Sequence, residues 1–207
     1  MATGEMSLRS AEVLPGNAPD QLLVERCRQG DPTAFARLVA LHEGMVFNLA
    51  ARLIGDAEEA KDVAQDVFLQ VYRTLGRFEG RSSLKTWIYR IAVHEASNHR
   101  RSRIRRHRRE PFSLEESTTE PVSSLADGRA ETPYQVLEQS ERQDLVKRAL
   151  ASLAQPYRTV VVLREMEGLS YEEIARVLGV AEGTVKSRLM RGRELLRRKI
   201  SRLGVRG

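Results

Sequence analysis

The chain of 207 residues has a single cysteine, Cys27, a single tryptophan, Trp87, and only 5% aromatic residues. One cysteine excludes an internal disulfide and points to a reducing compartment. Cys27 lies in an amphipathic stretch, where a buried or half-buried thiol is expected. Long hydrophobic runs are missing too. The longest, around Val160, Val161, Val162 and Leu163, falls far short of the ~20 apolar residues that cross a bilayer. The N-terminus lacks the cationic segment and apolar core of a secretion signal, so a soluble cytoplasmic protein without direct membrane insertion is expected. Groups that carry chemistry are also sparse. His42, His94, His99 and His107 are not spaced as metal ligands, carboxylates do not cluster in a metal-site pattern, and no glycine loop suits a phosphate. No catalytic residue, cofactor or metal is therefore expected. Period-two strand patterns are absent, which leaves an all-α protein.

What is present is charge, and it is unevenly placed. The formal net charge is +6. Residues 76–109 hold 11 basic groups against 2 acidic, and residues 169–207 hold 10 against 4. Between them residues 110–144 hold 2 basic groups against 9 acidic. Two cationic blocks parted by an acidic one indicate two separate contacts with nucleic acid.

The second block contains a helix-turn-helix. Ser170 and Glu173 are spaced as a capping box, so a helix starts at Tyr171. Ile174, Ala175 and Leu178 form its apolar face, and Gly179 suits the left-handed residue that ends it. A second helix runs from about Glu182, anchored by Val185 and Leu189. Its other face carries Lys186, Ser187, Arg188, Met190, Arg191 and Arg193, a polar cationic surface suited to a DNA major groove. The alternative is a generic helical hairpin with a solvated basic face. The coincidence of capping box, small residue, turn glycine and basic helix favours DNA.

Upstream, residues 1–19 have the composition of a disordered leader. Asp20 is placed to cap a short helix ending at Gly30. Asp31 and Pro32 start a longer one with the apolar stripe Phe35, Leu38, Val39, His42, Val46, Leu49 and Leu53. Gly55 stops it, and Asp56 caps a third helix running to Gly76. Ala60, Val63, Ala64, Val67 and Val71 face inward on that helix, while Asp62, Gln65, Asp66, Leu69 and Arg73 form a second stripe. After a two-glycine loop, Ser82 or Ser83 caps a long helix. Its core face is Leu84, Trp87, Ile88 and Ile91, and its polar face is Thr86, Arg90, His94, Asn98 and Arg101. Residues 20–109 thus form one helical bundle. Residues 110–132 read as an acidic linker, and residues 133–207 as a second helical domain.

The segment from Asp62 to Tyr72, with Phe78 to Ala92, resembles region 2 of the extracytoplasmic-function (ECF) RNA polymerase sigma factors of the sigma-70 superfamily. The segment from Tyr171 to Arg193 resembles their region 4. The resemblance implies a promoter-specificity subunit that binds core RNA polymerase, through its β′ and β subunits, and promoter DNA. It implies that the stripe Asp62, Gln65, Asp66, Leu69 and Arg73 docks on the polymerase. Phe78, Glu79, Gly80, Arg81, Ser82 and Ser83, with Arg90, His94 and Asn98, would hold the −10 element. Arg100, Arg101, Arg103, Arg105 and Arg106 would grip phosphates. Lys186, Ser187, Arg188, Met190, Arg191 and Arg193 would read the −35 element. An anti-sigma factor, often membrane-bound in the family, is a further implied partner.

This chain departs from the family pattern at His94, commonly asparagine, at Asp66, commonly a longer acid, and at Ala181, commonly serine or proline. A DNA-binding regulator acting without polymerase would explain the helix-turn-helix, but neither the Asp62 stripe nor the 77–83 loop. A recombinase-like enzyme lacks its catalytic groups. At about 3.3 Å per residue, the linker's ~23 residues span at most ~75 Å, enough to hold two domains about two duplex turns apart.

Overall fold

A computed structural model describes residues 18–109 and 133–204. Of the expected leader (1–19), residues 1–17 lie outside the described residues, as does the linker (110–132), while Ala18 and Pro19 belong to the first helix instead. The described residues form α-helices with no strand among them. The helices are α1 (Ala18–Arg28), α2 (Pro32–Ile54), α3 (Ala57–Thr74), α4 (Leu84–Arg109), α5 (Pro133–Ala151), α6 (Gln155–Val161), α7 (Tyr171–Leu178) and α8 (Glu182–Gly204).

The helix boundaries follow from local chemistry. The Asp31 carboxylate accepts the Thr33 and Ala34 amides at 2.9 and 3.2 Å, with Pro32 at the first helical position. An arginine, Arg26, also hydrogen-bonds Asp31, and with the amides it holds that carboxyl below the usual carboxylate range. Gly55, at φ +88°, closes α2 in the left-handed region, a conformation glycine adopts without a side-chain penalty. Asp56 caps α3 by accepting the Glu59 amide at 3.0 Å. The start of α1 differs from expectation: the helix begins at Ala18, so Asp20 sits in its first turn rather than before it. Likewise α3 ends at Thr74 and tightens into a 3₁₀ turn over Leu75–Arg77. Of the two candidate caps for α4, Ser83 is the one used, its hydroxyl accepting the Thr86 amide at 3.1 Å.

The first half is built by α2, α3 and α4 packing mutually, with α1 laid on α2. Val63, Val67 and Val71 meet Leu38, Val46, Leu49, Leu84 and Ile88 in its core. In the second half, α8 carries α5, α6 and α7. Gly192 makes that approach possible. A β-carbon there would come within 2.7 Å of Val161 Cγ2, so only glycine lets α8 lie so close to α6. After α6 the chain widens into π-type turns over Val162–Met166, where the Glu167 amide reaches the Val162 carbonyl at 3.1 Å. Such turns are rare and break the regular side-chain register.

The two halves do not stand apart. Buried residues of both belong to one continuous apolar cluster, and α4 lies against α7 while α2 lies against α5 and α6. Arg158, on α6, is fully buried, with no carboxylate partner among the described residues. Its guanidinium donates to the Leu53 carbonyl at 2.7 Å, to the Leu153 carbonyl at 3.2 Å, and to the Ala151 carbonyl. Leu53 is in the last turn of α2, and Ala151 ends α5. One cation therefore sits at the negative ends of two helix dipoles. Burial, reinforced by the charges of Arg100 and Arg103, pulls Arg158 down to about 10, still protonated at neutral pH.

Candidate nucleic-acid interface

The helix-turn-helix is assembled as its residues dictate. Ser170 accepts the Glu173 amide at 3.1 Å, and the Glu173 carboxylate accepts the Ser170 amide at 2.8 Å, completing the capping box. The Ser170 backbone bond, ahead of smaller contributions, holds the Glu173 carboxyl below its usual value. Gly179 turns the chain at φ +64°. Val185 and Leu189 bury one face of α8. That leaves Lys186, Ser187, Met190, Arg191 and Arg193 exposed, with Arg188 half-exposed. Met190 is 72% exposed, the most open large apolar side chain there. Lys186 is positioned by Glu182 at 3.8 Å and by the Tyr171 ring, whose centroid lies 5.8 Å from Nζ. Arg193 is less free than its place in the sequence suggests, because it pairs with Glu165 at 2.6 Å.

The 77–83 loop is partly different from expectation. Phe78, assigned to base capture, is a core residue: it is 5% exposed, packs on Trp87 at a 5.3 Å ring separation, and its carbonyl accepts from Arg28. An aromatic next to a glycine loop reads as a base platform, but here a tryptophan at core spacing supplies a dry surface. Ser83 is committed to capping α4 and to Thr86 Oγ1 at 2.8 Å. Thr86 is accordingly buried and leaves the polar face. What stays accessible is Glu79, paired with Arg81 at 2.6 Å, together with Gly80 at φ +71° and half-buried Ser82.

Along α4, Arg90 and His94 are exposed and Asn98 half-exposed. Asn98 Nδ2 lies 3.1 Å from His94 Nδ1, and Arg101 donates to Asn98 Oδ1 at 2.8 Å, so these side chains form one row. The row borders a cleft of about 600 Å³ whose opposite wall is Val177, Leu178 and Gly179 of the helix-turn-helix. The arginine run also divides. Arg101, Arg105 and Arg106 are exposed, whereas Arg100 and Arg103 are half-buried and Arg103 pairs with Glu59 at 2.9 Å. Arg103 thus serves to tie α4 to α3 rather than to present a free cation.

On α3 the stripe Asp62, Gln65, Asp66, Leu69 and Arg73 is solvent-facing throughout. Leu69 is 46% exposed. Tyr72, three residues on, is more exposed still and rests edge-on against Phe35 at 5.1 Å. Sequence reasoning overlooked it, although its i+3 spacing from Leu69 carries the signal. The same surface therefore holds a tyrosine and a leucine ringed by charges, the composition of a protein-binding patch.

Box-capped helix-turn-helix, basic recognition helix and cation-lined bundle define a helical DNA-binding protein. Two family profiles match it: Sigma-70 region 2 over residues 38–107 and Sigma-70, region 4 over residues 143–196. The chain is 41% identical to the RNA polymerase sigma-H factor of Pseudomonas aeruginosa, over 86% of this chain and 91% of that protein. It is 38% identical to the ECF RNA polymerase sigma-E factor of Haemophilus influenzae, over 89% of this chain and 96% of that one. Among solved structures, it resembles the sigma factor RpoE bound to the anti-sigma factor NepR from Bartonella quintana, with a TM-score of 0.62 and 26% identity over 81% of this chain and 96% of that one. It also resembles CnrH bound to the cytosolic domain of CnrY, with a TM-score of 0.61 and 26% identity over 88% and 97%. The chain belongs to the sigma-70 family, in its ECF group. It is an alternative sigma factor that directs RNA polymerase to promoters.

Proposed function

We propose that the two halves divide promoter recognition, with residues 20–109 binding core polymerase and the −10 element and residues 133–207 binding the −35 element. The α3 stripe of Asp62, Gln65, Asp66, Leu69 and Arg73, extended by Tyr72, docks on the polymerase core. The observation that carries this reading is the pairing of an exposed apolar centre within charges on α3 with an open basic face on α8. Glu79, Gly80, Arg81 and Ser82, with Arg90, His94 and Asn98, hold bases extruded from the −10 element. A flexible glycine loop can enclose such a base, with cations beside it for the single-strand backbone. Lys186, Ser187, Arg188, Met190 and Arg191 enter the −35 major groove, where arginine and lysine donate to guanine edges. Arg101, Arg105 and Arg106 hold phosphates. The chain works in the cytoplasm, without catalytic residues of its own, and an anti-sigma factor binds it; the relative RpoE is likewise seen in complex with the anti-sigma factor NepR.

Reconstitution with core polymerase tests the assignment. Leu69→Lys is expected to weaken co-elution with core while leaving the fold intact, because Leu69 faces away from buried Val63 and Val67. A chain carrying Arg81→Ala and His94→Ala is expected to bind −35 duplex normally but to give no permanganate-reactive thymines near the start site. Unchanged opening and −10 preference would overturn the −10 assignment. Co-elution unaffected by Leu69→Lys would remove the α3 surface from the docking site.

A further inference from the structure

The π-type segment reaches the helix-turn-helix through two neighbouring side chains. Arg164 donates to the Leu169 carbonyl at 2.8 Å and places its guanidinium 5.0 Å from the centre of the Tyr171 ring. Glu165, the next residue, holds Arg193 of α8 by two bonds, at 2.9 and 2.6 Å. The Tyr171 ring carries a second cation, Lys186 of α8, with Nζ 5.8 Å from the centroid. Tyr171 is half-buried, so part of the ring rests against the core and part is open to solvent. Tyr171, Lys186, Met190 and Arg193 share the lining of one pocket of about 420 Å³. The tyrosine therefore opens onto the surface assigned to the −35 element, although it belongs to the other helix of the pair.

We propose that Tyr171 is a positioning residue for −35 reading: its ring, anchored by Arg164, holds the Lys186 ammonium ready for a base edge. This role rests on the placing of Lys186 in the −35 major groove. A lysine is a compact charge on a flexible four-carbon stem, and ordering that stem on binding lowers affinity. An aromatic face attracts a cation through its quadrupole, and Glu182 lies 3.8 Å from the same ammonium. Ring and carboxylate together restrict Lys186 before DNA arrives. Arg164 is tied to a carbonyl and stays behind, which leaves Lys186 as the mobile cation of the two. The ring itself stands in a fixed place. Ser170 and Glu173 lock the first turn of α7, and Tyr171 is the first residue of that helix. Widened turns such as Val162–Met166 are frequent at functional sites, and here they supply the anchor.

Holoenzyme reconstituted from core polymerase and full-length variants tests the role, on promoters that differ by one base pair in the −35 element. Lys186→Ala identifies the base pair that Lys186 reads. Tyr171→Leu keeps an apolar side chain but removes the ring. It is expected to lower discrimination at that same pair by about two- to tenfold, the scale of ordering one long side chain. Tyr171→Phe is expected to retain discrimination. Adding Tyr171→Leu to Lys186→Ala is expected to change nothing more, since the ring acts through the lysine. A ring that merely packs would give an equal loss at every −35 variant, or losses that add in the double variant, and either result overturns the proposal. Parental discrimination by Tyr171→Leu overturns it too. If Lys186→Ala leaves discrimination intact at every pair, the −35 assignment of Lys186 falls, and the role of Tyr171 with it. Should the leucine chain fail to fold, phenylalanines with successive ring fluorines at position 171 decide, because they keep the ring's shape and weaken its negative face. Discrimination falling stepwise along that series is expected, and a flat series would refute the role.

Discussion

Replacing Arg158 with methionine removes a buried cation while keeping an unbranched side chain that fills a similar path. Three carbonyls lose their donor: Leu53 at 2.7 Å, Leu153 at 3.2 Å, and Ala151. The Leu53 and Leu153 carbonyls are buried and each costs about 1–3 kcal/mol when left without a partner, whereas the part-buried Ala151 carbonyl costs less. Loss of the charge at the C-terminal ends of α2 and α5 removes up to ~2 kcal/mol more. Against this, the folded state no longer has to desolvate a guanidinium, a penalty of several kcal/mol. The balance is a destabilisation of about 3 kcal/mol. Arg158→Lys is expected to fall between, since one ammonium cannot satisfy carbonyls on two helix ends with fixed fork geometry. The assay is equilibrium urea unfolding, followed by circular dichroism and by fluorescence of Trp87, the only tryptophan. Trp87 lies in the first half and Arg158 in the second, so a midpoint shift seen by both probes shows that the guanidinium joins the halves. A methionine variant within about 0.5 kcal/mol of the parent, or more stable, would refute the reasoning. It would mean that desolvation of the cation outweighs its three bonds, as some buried charges do.

Gly192→Ala gains roughly 1 kcal/mol of helix propensity, but forces a 2.7 Å contact with Val161 Cγ2, and overpacking costs about 1–3 kcal/mol. A lower melting temperature is expected, and a higher one would show that α8 can step away from α6 freely. Arg191→Ala should cost about 1–3 kcal/mol at the preferred −35 sequence with little loss elsewhere; uniform loss across sequences in anisotropy titrations would make Arg191 a phosphate contact only. His42 titrates below the ordinary histidine value of 6.5, chiefly through burial, with Lys85 adding to the effect and Asp20 opposing it. The unfolded chain therefore binds a proton before the folded one does, and stability is expected to fall as pH drops below about 6.5. His42→Gln should flatten the slope of unfolding free energy against pH in that window; an unchanged slope would assign it to other groups.

Local chemistry made most elements legible before any coordinates. Asp31-Pro32, Asp56, the Ser82–Ser83 pair and the Ser170–Glu173 box each mark a helix start through bonds reaching only two or three residues, with the choice of Ser83 over Ser82 left to the structure. Gly55 and Gly179 mark ends through backbone conformation alone. The inward stripe of α3 and the outward stripe of Asp62 to Arg73 follow from helical periodicity. The basic face of α8 was equally plain, because Val185 and Leu189 leave only one way to turn it. Such features are set by neighbours along the chain, so sequence carries them fully.

Tertiary structure decided what distant residues do to one another. The family resemblance implies a −10 role for Phe78, yet Trp87 draws its ring into the core. Arg103 was counted as a phosphate grip, but Glu59, 44 residues away, claims it. Arg158 stands out in no sequence pattern, yet carbonyls at two helix ends surround it. Most of all, the sequence suggested two domains that a linker could hold apart, while the structure closes α4 on α7 and places Glu167 between Arg52 and Tyr89. Capping and periodicity act over a few residues and fix which face of a helix is apolar. Which other face it meets depends on complementary shape and on polar groups finding partners across the whole chain, and that is settled only when the halves fold together.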